Sequence, residues 1–322
     1  MGAAVKVAVS RLGFGAAPIG NLYREISDEE AFGAVEAAWQ TGVRYFDTAP
    51  HYGLGLSERR LGVALAGRPR DEYVISTKVG RLLEPFDGDG LDDEGFAVPR
   101  HFRRVRDYSA DGVRRSIESS LERLGTDRVE IVYIHDPDDY WDVAFGEAYP
   151  ALEELRSQGV VGAIGVGMNQ WEMPERFVRE TDIDVVMLAG RYTLLEQPSL
   201  ASFLPACVER GVSVVACGVF NSGLLSKPVV AVDAKYNYDH APLALVQRAR
   251  SIAAVCEGHG VTLPEVAIQF ALGHPAVVSV VIGSRTAEQM YANAEYFDKP
   301  IPDELWAELK SLGLLGVEVP TP

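Results

Sequence analysis

The feature that most constrains this 322-residue chain is a recurrence: a short run rich in Val and Ile, a polar residue that closes it, then apolar residues at helical spacing. After a first strand or turn at Leu12-Gly13-Phe14-Gly15, extended runs are expected at 43–47, 73–78, 129–134, 160–165, 183–188, 212–216 and 277–282. Between and after them, apolar residues every three or four positions predict helices at 57–65, 113–124, 148–157, 174–180, 200–210, 242–258, 263–272, 286–296 and 302–312. Ser27-Asp28-Glu29-Glu30 has the form of a capping box, opening a helix that carries Phe32, Val35 and Trp39 and stops at Gly42. Val5, Val7 and Val9 read as a short extended lead.

Nearly continuous apolar strands suit a parallel sheet buried on both faces, and hence an α/β fold. About eight such units, with no repeat or linker dividing residues 1–322, favour a closed single-domain (β/α)8 barrel whose site lies at the carboxyl face of its strands. An open doubly wound sheet would require a phosphate-binding fingerprint after its first strand. Gly13-Phe-Gly-Ala-Ala-Pro lacks the third glycine, and no helix opens there.

Composition narrows the function classes. A net charge of −16, from 30 basic and 46 acidic residues, repels polyanions, so neither nucleic acid nor an anionic membrane is an expected partner. No apolar run approaches a membrane span of roughly 18–20 residues, residues 1–10 lack the form of a signal peptide, and a cytoplasmic location is expected. The three cysteines, Cys207, Cys217 and Cys256, form no C-x-x-C pair and read as buried thiols. A long polar stretch at about 81–107 interrupts the rhythm and reads as a lid, a binding loop or a disordered segment. Its Asp87-Gly-Asp-Gly-Leu-Asp run resembles a calcium loop only superficially, since Leu91 and Val98 stand where ligands belong.

Chemistry concentrates at the strand ends. In a barrel, Asp47 ends the second strand, Tyr52 follows on its Pro/Gly-rich loop, Lys78 ends the third strand and His135 the fourth. Adjacent parallel strands lie about 4.8 Å apart, so the four groups can converge. A lysine ammonium beside a tyrosine is expected to lower the phenol's pKa; Asp47 would hold the lysine charged, and His135 would orient a substrate oxygen. That is proton chemistry for carbonyl/alcohol interconversion. It needs a hydride carrier and no metal.

Asp47, Tyr52, Lys78 and His135, in this order and spacing, resemble the catalytic tetrad of the aldo-keto reductases, and the likeness runs from Leu12-Gly13-Phe14-Gly15 to Ile282-Gly283-Ser284-Arg285. The resemblance implies a TIM barrel that binds extended NAD(P) at the carboxyl face. It also implies cofactor contacts from Asn169, Gly283, Ser284, Arg285, Gln289 and Asn293. Met168 stands where serine is common, Ala189 takes a usual glutamine position, and Phe220 substitutes for an aromatic absent from Ala216-Cys217-Gly218. With Arg285 the one nearby basic residue of that tail segment, NAD is slightly favoured over NADP.

Asp-Thr-Ala-Pro-x-Tyr-Gly, His135-Asp136-Pro137-Asp138 and Phe220-Asn-Ser-Gly resemble the aldose 1-dehydrogenase branch of that family, whose members oxidise a cyclic hemiacetal to a lactone. The implied substrate is L-fucose or a related D-threo-aldose, with His51, Asp136 and Trp141 as sugar contacts. The alternatives are pyridoxal oxidation, general aldehyde or ketone reduction, a cofactor-sensing binding module, and a Schiff-base aldolase using Lys78.

Overall fold

A computed structural model describes residues 7–237 and 239–322, so the expectation for Val5 lies outside the described residues. Eight parallel strands close into a barrel: Leu12–Gly15, Tyr45–Asp47, Val74–Val79, Ile131–His135, Ala163–Met168, Val185–Ala189, Ser213–Cys217 and Val277–Gly283. Closure is made by the first and last strands, with Leu12 opposite Val280 and Gly15 opposite Gly283. No helix among the described residues is long and apolar enough to cross a membrane.

The strands alternate between two cores, as period-two side chains must. Tyr45, Ile131, Tyr133, Met187, Val215 and Val281 fill the inside, while Val7 and Val9 pack against this cluster without joining the sheet. Phe46, Val132, Ile134, Ile164, Val186 and Leu188 face outward into the larger core beneath the helices. The capping box forms as expected: Ser27 N donates to Glu30 Oε2 at 2.8 Å, and Glu30 N donates to Ser27 Oγ at 3.1 Å.

Three expectations are corrected. The fifth strand lies at Ala163–Met168, three residues later than its apolar run suggested, because Gly159 turns at φ 74° and Val160 is exposed before pairing begins. The third strand continues one residue past Lys78 to Val79. The 81–107 stretch contains an antiparallel pair, Arg81–Pro85 with Phe102–Arg106. Facing residues there include Glu84 and Arg103, joined at 2.9 Å, so charge pairing replaces the apolar alternation that would have advertised strands.

Candidate active site

Asp47 ends a fully buried strand and faces Lys78 from the next one. Lys78 Nζ donates to Asp47 Oδ2 at 2.7 Å, to Asp47 Oδ1 at 2.8 Å and to Thr48 O at 2.9 Å. Ser76 Oγ donates to Asp47 Oδ1 at 2.7 Å and lies 3.0 Å from Tyr45 Oη, which lies 3.0 Å from Tyr133 Oη. A polar chain thus descends from the ion pair into the barrel. Sequence reasoning missed Ser76, although it stands two residues before Lys78 and period-two spacing puts both on the inner face.

The loop after Asp47 carries Tyr52 to the same place. Gly53 adopts φ 61°, and a Cβ on it would lie 2.2 Å from Gly20 O, so glycine permits the close approach that fixes the loop. Lys78 Nζ sits 4.7 Å from the centre of the Tyr52 ring. The His135 ring meets that of Tyr52 edge-on at 6.0 Å, and His51 stands 5.7 Å from His135 and 5.9 Å from Tyr52. Phe96, from the paired excursion, closes over His51 at 5.2 Å.

Burial dominates the electrostatics. It opposes the charge on Lys78, but Asp47 and Tyr52 together act upward and raise the lysine's pKa, so the ammonium persists. A permanently charged, doubly held lysine is a poor Schiff-base nucleophile, which weakens the aldolase alternative. Burial, with Arg81 and Lys78 adding to it, holds His135 well below the ordinary imidazole value and therefore neutral. His51 is likewise pushed down to about 2 by burial and by Arg81 and Arg104.

Tyr52 departs from expectation. Burial raises its pKa above the ordinary phenol value, and Lys78, acting downward, does not overcome that. Burial is the larger effect, and the Asp47 carboxylate adds to it. In this geometry Tyr52 is a protonated acid at neutral pH.

A cavity of about 320 Å3 is lined by Asp47, His51, Tyr52, Lys78, His135 and Asp136, together with Cys217. Burial raises the Cys217 thiol to about 12, so it presents a neutral S–H to the cavity. Asn169, Ala189, Gly218 and Gly283 also line a second, larger cavity of about 570 Å3. The walls of that second cavity include Phe220, Asn221, Arg285, Gln289 and Asn293.

Asn221 and Arg285 line the larger cavity, and each carries a buried polar atom, Oδ1 and Nε, with no hydrogen-bond partner among the described residues. An unpaired acceptor and an unpaired donor on two residues of one wall, beside Gln289 and Asn293, suit a polar ligand such as a dinucleotide. Asn221 and Ser222 were not anticipated as site residues. Both have left-handed backbones, φ 46° and 58°, and the Asn-Ser-Gly turn composition was their signal.

Two expected contacts are placed elsewhere. Ser284 is fully buried, lines neither cavity, and accepts from Asn293 Nδ2 at 3.1 Å, so it positions Asn293 instead. Trp141 stacks on Phe145 at 5.0 Å and contacts Phe177 at 4.8 Å beneath the Arg176 guanidinium, away from both cavities. The sequence reading began its helix at 148, whereas helical turns run from Trp141, and their apolar face takes the indole.

The model of the Aldo/keto reductase family matches residues 11–313. Over 99% of the chain and 98% of the relative, it is 50% identical to a D-threo-aldose 1-dehydrogenase from Pseudomonas sp. It is 40% identical to a pyridoxal 4-dehydrogenase from Microbacterium luteolum, over 96% of the chain and 95% of the relative. Among solved structures, aldo-keto reductase AKR11C1 from Bacillus halodurans, in its holo form, superposes with a TM-score of 0.76 at 26% identity, covering 97% of this chain and 95% of that one.

Proposed function

This chain belongs to the aldo/keto reductase family, and from that premise we propose that it oxidises an aldose, L-fucose or a related D-threo sugar, at C1 to its lactone with NAD(P), in the cytoplasm. The observation that carries the reading is the convergence of a protonatable tyrosine, a fixed ammonium and a neutral imidazole on one cavity that adjoins a larger hollow. The 50% identity to a D-threo-aldose 1-dehydrogenase supports the choice of substrate class.

In this proposal Asn169, Phe220, Arg285, Gln289 and Asn293 hold the dinucleotide, with Gly283 giving it room and Ser284 fixing Asn293. NAD(P)+, when bound, supplies the acceptor for the hydride that leaves C1. Tyr52 Oη, once deprotonated, takes the proton of the anomeric hydroxyl as the C1=O bond forms. Lys78 stabilises the phenolate, and Asp47 keeps Lys78 charged and aimed. Neutral His135 offers one ring N–H to the substrate oxygen, and His51 and Asp136 line the sugar's side of the cavity. We retain the slight preference for NAD: Gln289 Oε1 accepts from Arg285 N at 2.9 Å, and Arg285 Nη2 is drawn to Leu22 O at 3.1 Å.

The 40% relative makes pyridoxal the second reading. Initial rates on L-fucose, D-arabinose, L-galactose, pyridoxal and simple aldehydes, each with NAD and with NADP, decide between them. Inactivity on every sugar would overturn the first reading.

A further inference from the structure

The paired excursion between the third and fourth strands converges on one residue of the cavity wall, Asp136. This residue follows His135 and takes a left-handed backbone, φ 42°, a conformation that aspartate tolerates but must be held in. Its amide donates to Gly167 O at 3.1 Å. Tyr108 Oη lies 2.7 Å from His135 O and 2.9 Å from Asp136 O, sharing its one proton between the two carbonyls of the turn. Arg106 Nη1 donates to Asp136 O at 3.2 Å.

The side chain is held as firmly. Arg81 Nη2 donates to Asp136 Oδ2 at 2.6 Å, and His135 Nε2 stands 3.5 Å from the same oxygen. Arg81 is 8% exposed, and its Nη1 faces Glu94 Oε2 at 3.9 Å. Gly80, just before it, has φ 102°, and a Cβ there would lie 2.1 Å from the Tyr108 ring, so the glycine lets the tyrosine reach the turn. Arg81 therefore braces a carboxylate in the wall of the catalytic cavity, while Arg106 and Tyr108 brace the turn that carries it. Burying an arginine to hold one cavity carboxylate costs desolvation that packing alone would not require.

Resting on the aldose reading above, we propose that Asp136 reads a ring hydroxyl of the sugar and that Arg81 is its positioning residue. With Oδ2 taken by Arg81, and with no hydrogen bond to Oδ1 among the described residues, Oδ1 is the acceptor offered to a substrate hydroxyl. A fixed acceptor discriminates strongly between substrates that do and do not supply the matching donor. The role of the excursion is then to set sugar recognition, while cofactor binding is left to the other cavity.

The test is steady-state kinetics of Arg81→Gln and Arg81→Lys on L-fucose. The expected result for Arg81→Gln is a KM for L-fucose raised about tenfold or more, with kcat changing less than KM and the KM for NAD(P) unmoved. Arg81→Lys, which keeps the charge but not the fork, should recover part of that loss. Tyr108→Phe, which removes only the hydroxyl from the turn, should move KM in the same direction and serves if Arg81→Gln does not fold. An unchanged KM for L-fucose in the folded variants, or a loss confined to kcat, overturns the inference alone. Absence of aldose turnover by the parent enzyme overturns the aldose reading together with it.

Discussion

The Lys78 ammonium lies 2.7 and 2.8 Å from the two oxygens of Asp47, and both residues are buried at the carboxyl side of the barrel. Removing either partner leaves an uncompensated buried charge, so Lys78→Met and Asp47→Asn should each cost about 3–5 kcal/mol. The double variant should cost less than their sum, since no lone charge remains. Urea denaturation of the three variants checks this.

The ionisation of the site makes a prediction about pH. Burial raises Tyr52, so the phenol stays protonated well beyond neutrality. Aldehyde reduction, which uses the phenol as acid, should be flat from about pH 6 to 9, while oxidation, which needs the phenolate, should rise by up to about tenfold per unit. His51 and His135 are both depressed and stay neutral throughout, so neither should add an inflection near the ordinary histidine value. A pH–rate profile in both directions tests this, and a clear inflection near pH 6.5 would contradict it.

Two glycines should respond oppositely to alanine. Gly80→Ala adds a Cβ 2.1 Å from the Tyr108 ring at φ 102° and should destabilise the fold by about 1–3 kcal/mol. Gly33 lies inside the helix Asp28–Gln40 with Ala287 Cβ 3.8 Å from the added atom, and Gly33→Ala should stabilise by about 0.5–1 kcal/mol. Midpoints of chemical denaturation check both.

The convergence of Asp47, Tyr52, Lys78 and His135 was legible because Asp47 and His135 end apolar strands and Lys78 stands one residue short of a strand's end, where a titratable residue stands out against its neighbours. The barrel was legible for the same reason. The strand pair at 81–106 was hidden because Glu84 and Arg103 pair through charge in a polar stretch, and with it went the brace on Asp136. Trp141 illustrates a different loss: an aromatic near a strand end reads as a sugar contact until the helix that carries it shows its packing face. Lys78 acts downward on Tyr52, as its charge suggests, but burial acts upward more strongly and sets the net direction, with Asp47 adding to it. Charge identities can be read from sequence; desolvation requires the fold.

The central claim is that Tyr52 exchanges the substrate's proton in NAD(P)-dependent aldose oxidation. The most direct measurement is the initial rate of NAD(P)H formation from L-fucose by Tyr52→Phe relative to the parent enzyme, with cofactor binding followed in parallel by fluorescence quenching. Turnover by the parent and a loss of about a thousandfold or more in kcat for the variant, with the cofactor still bound, are expected. Turnover by Tyr52→Phe at a rate near the parent's would contradict it.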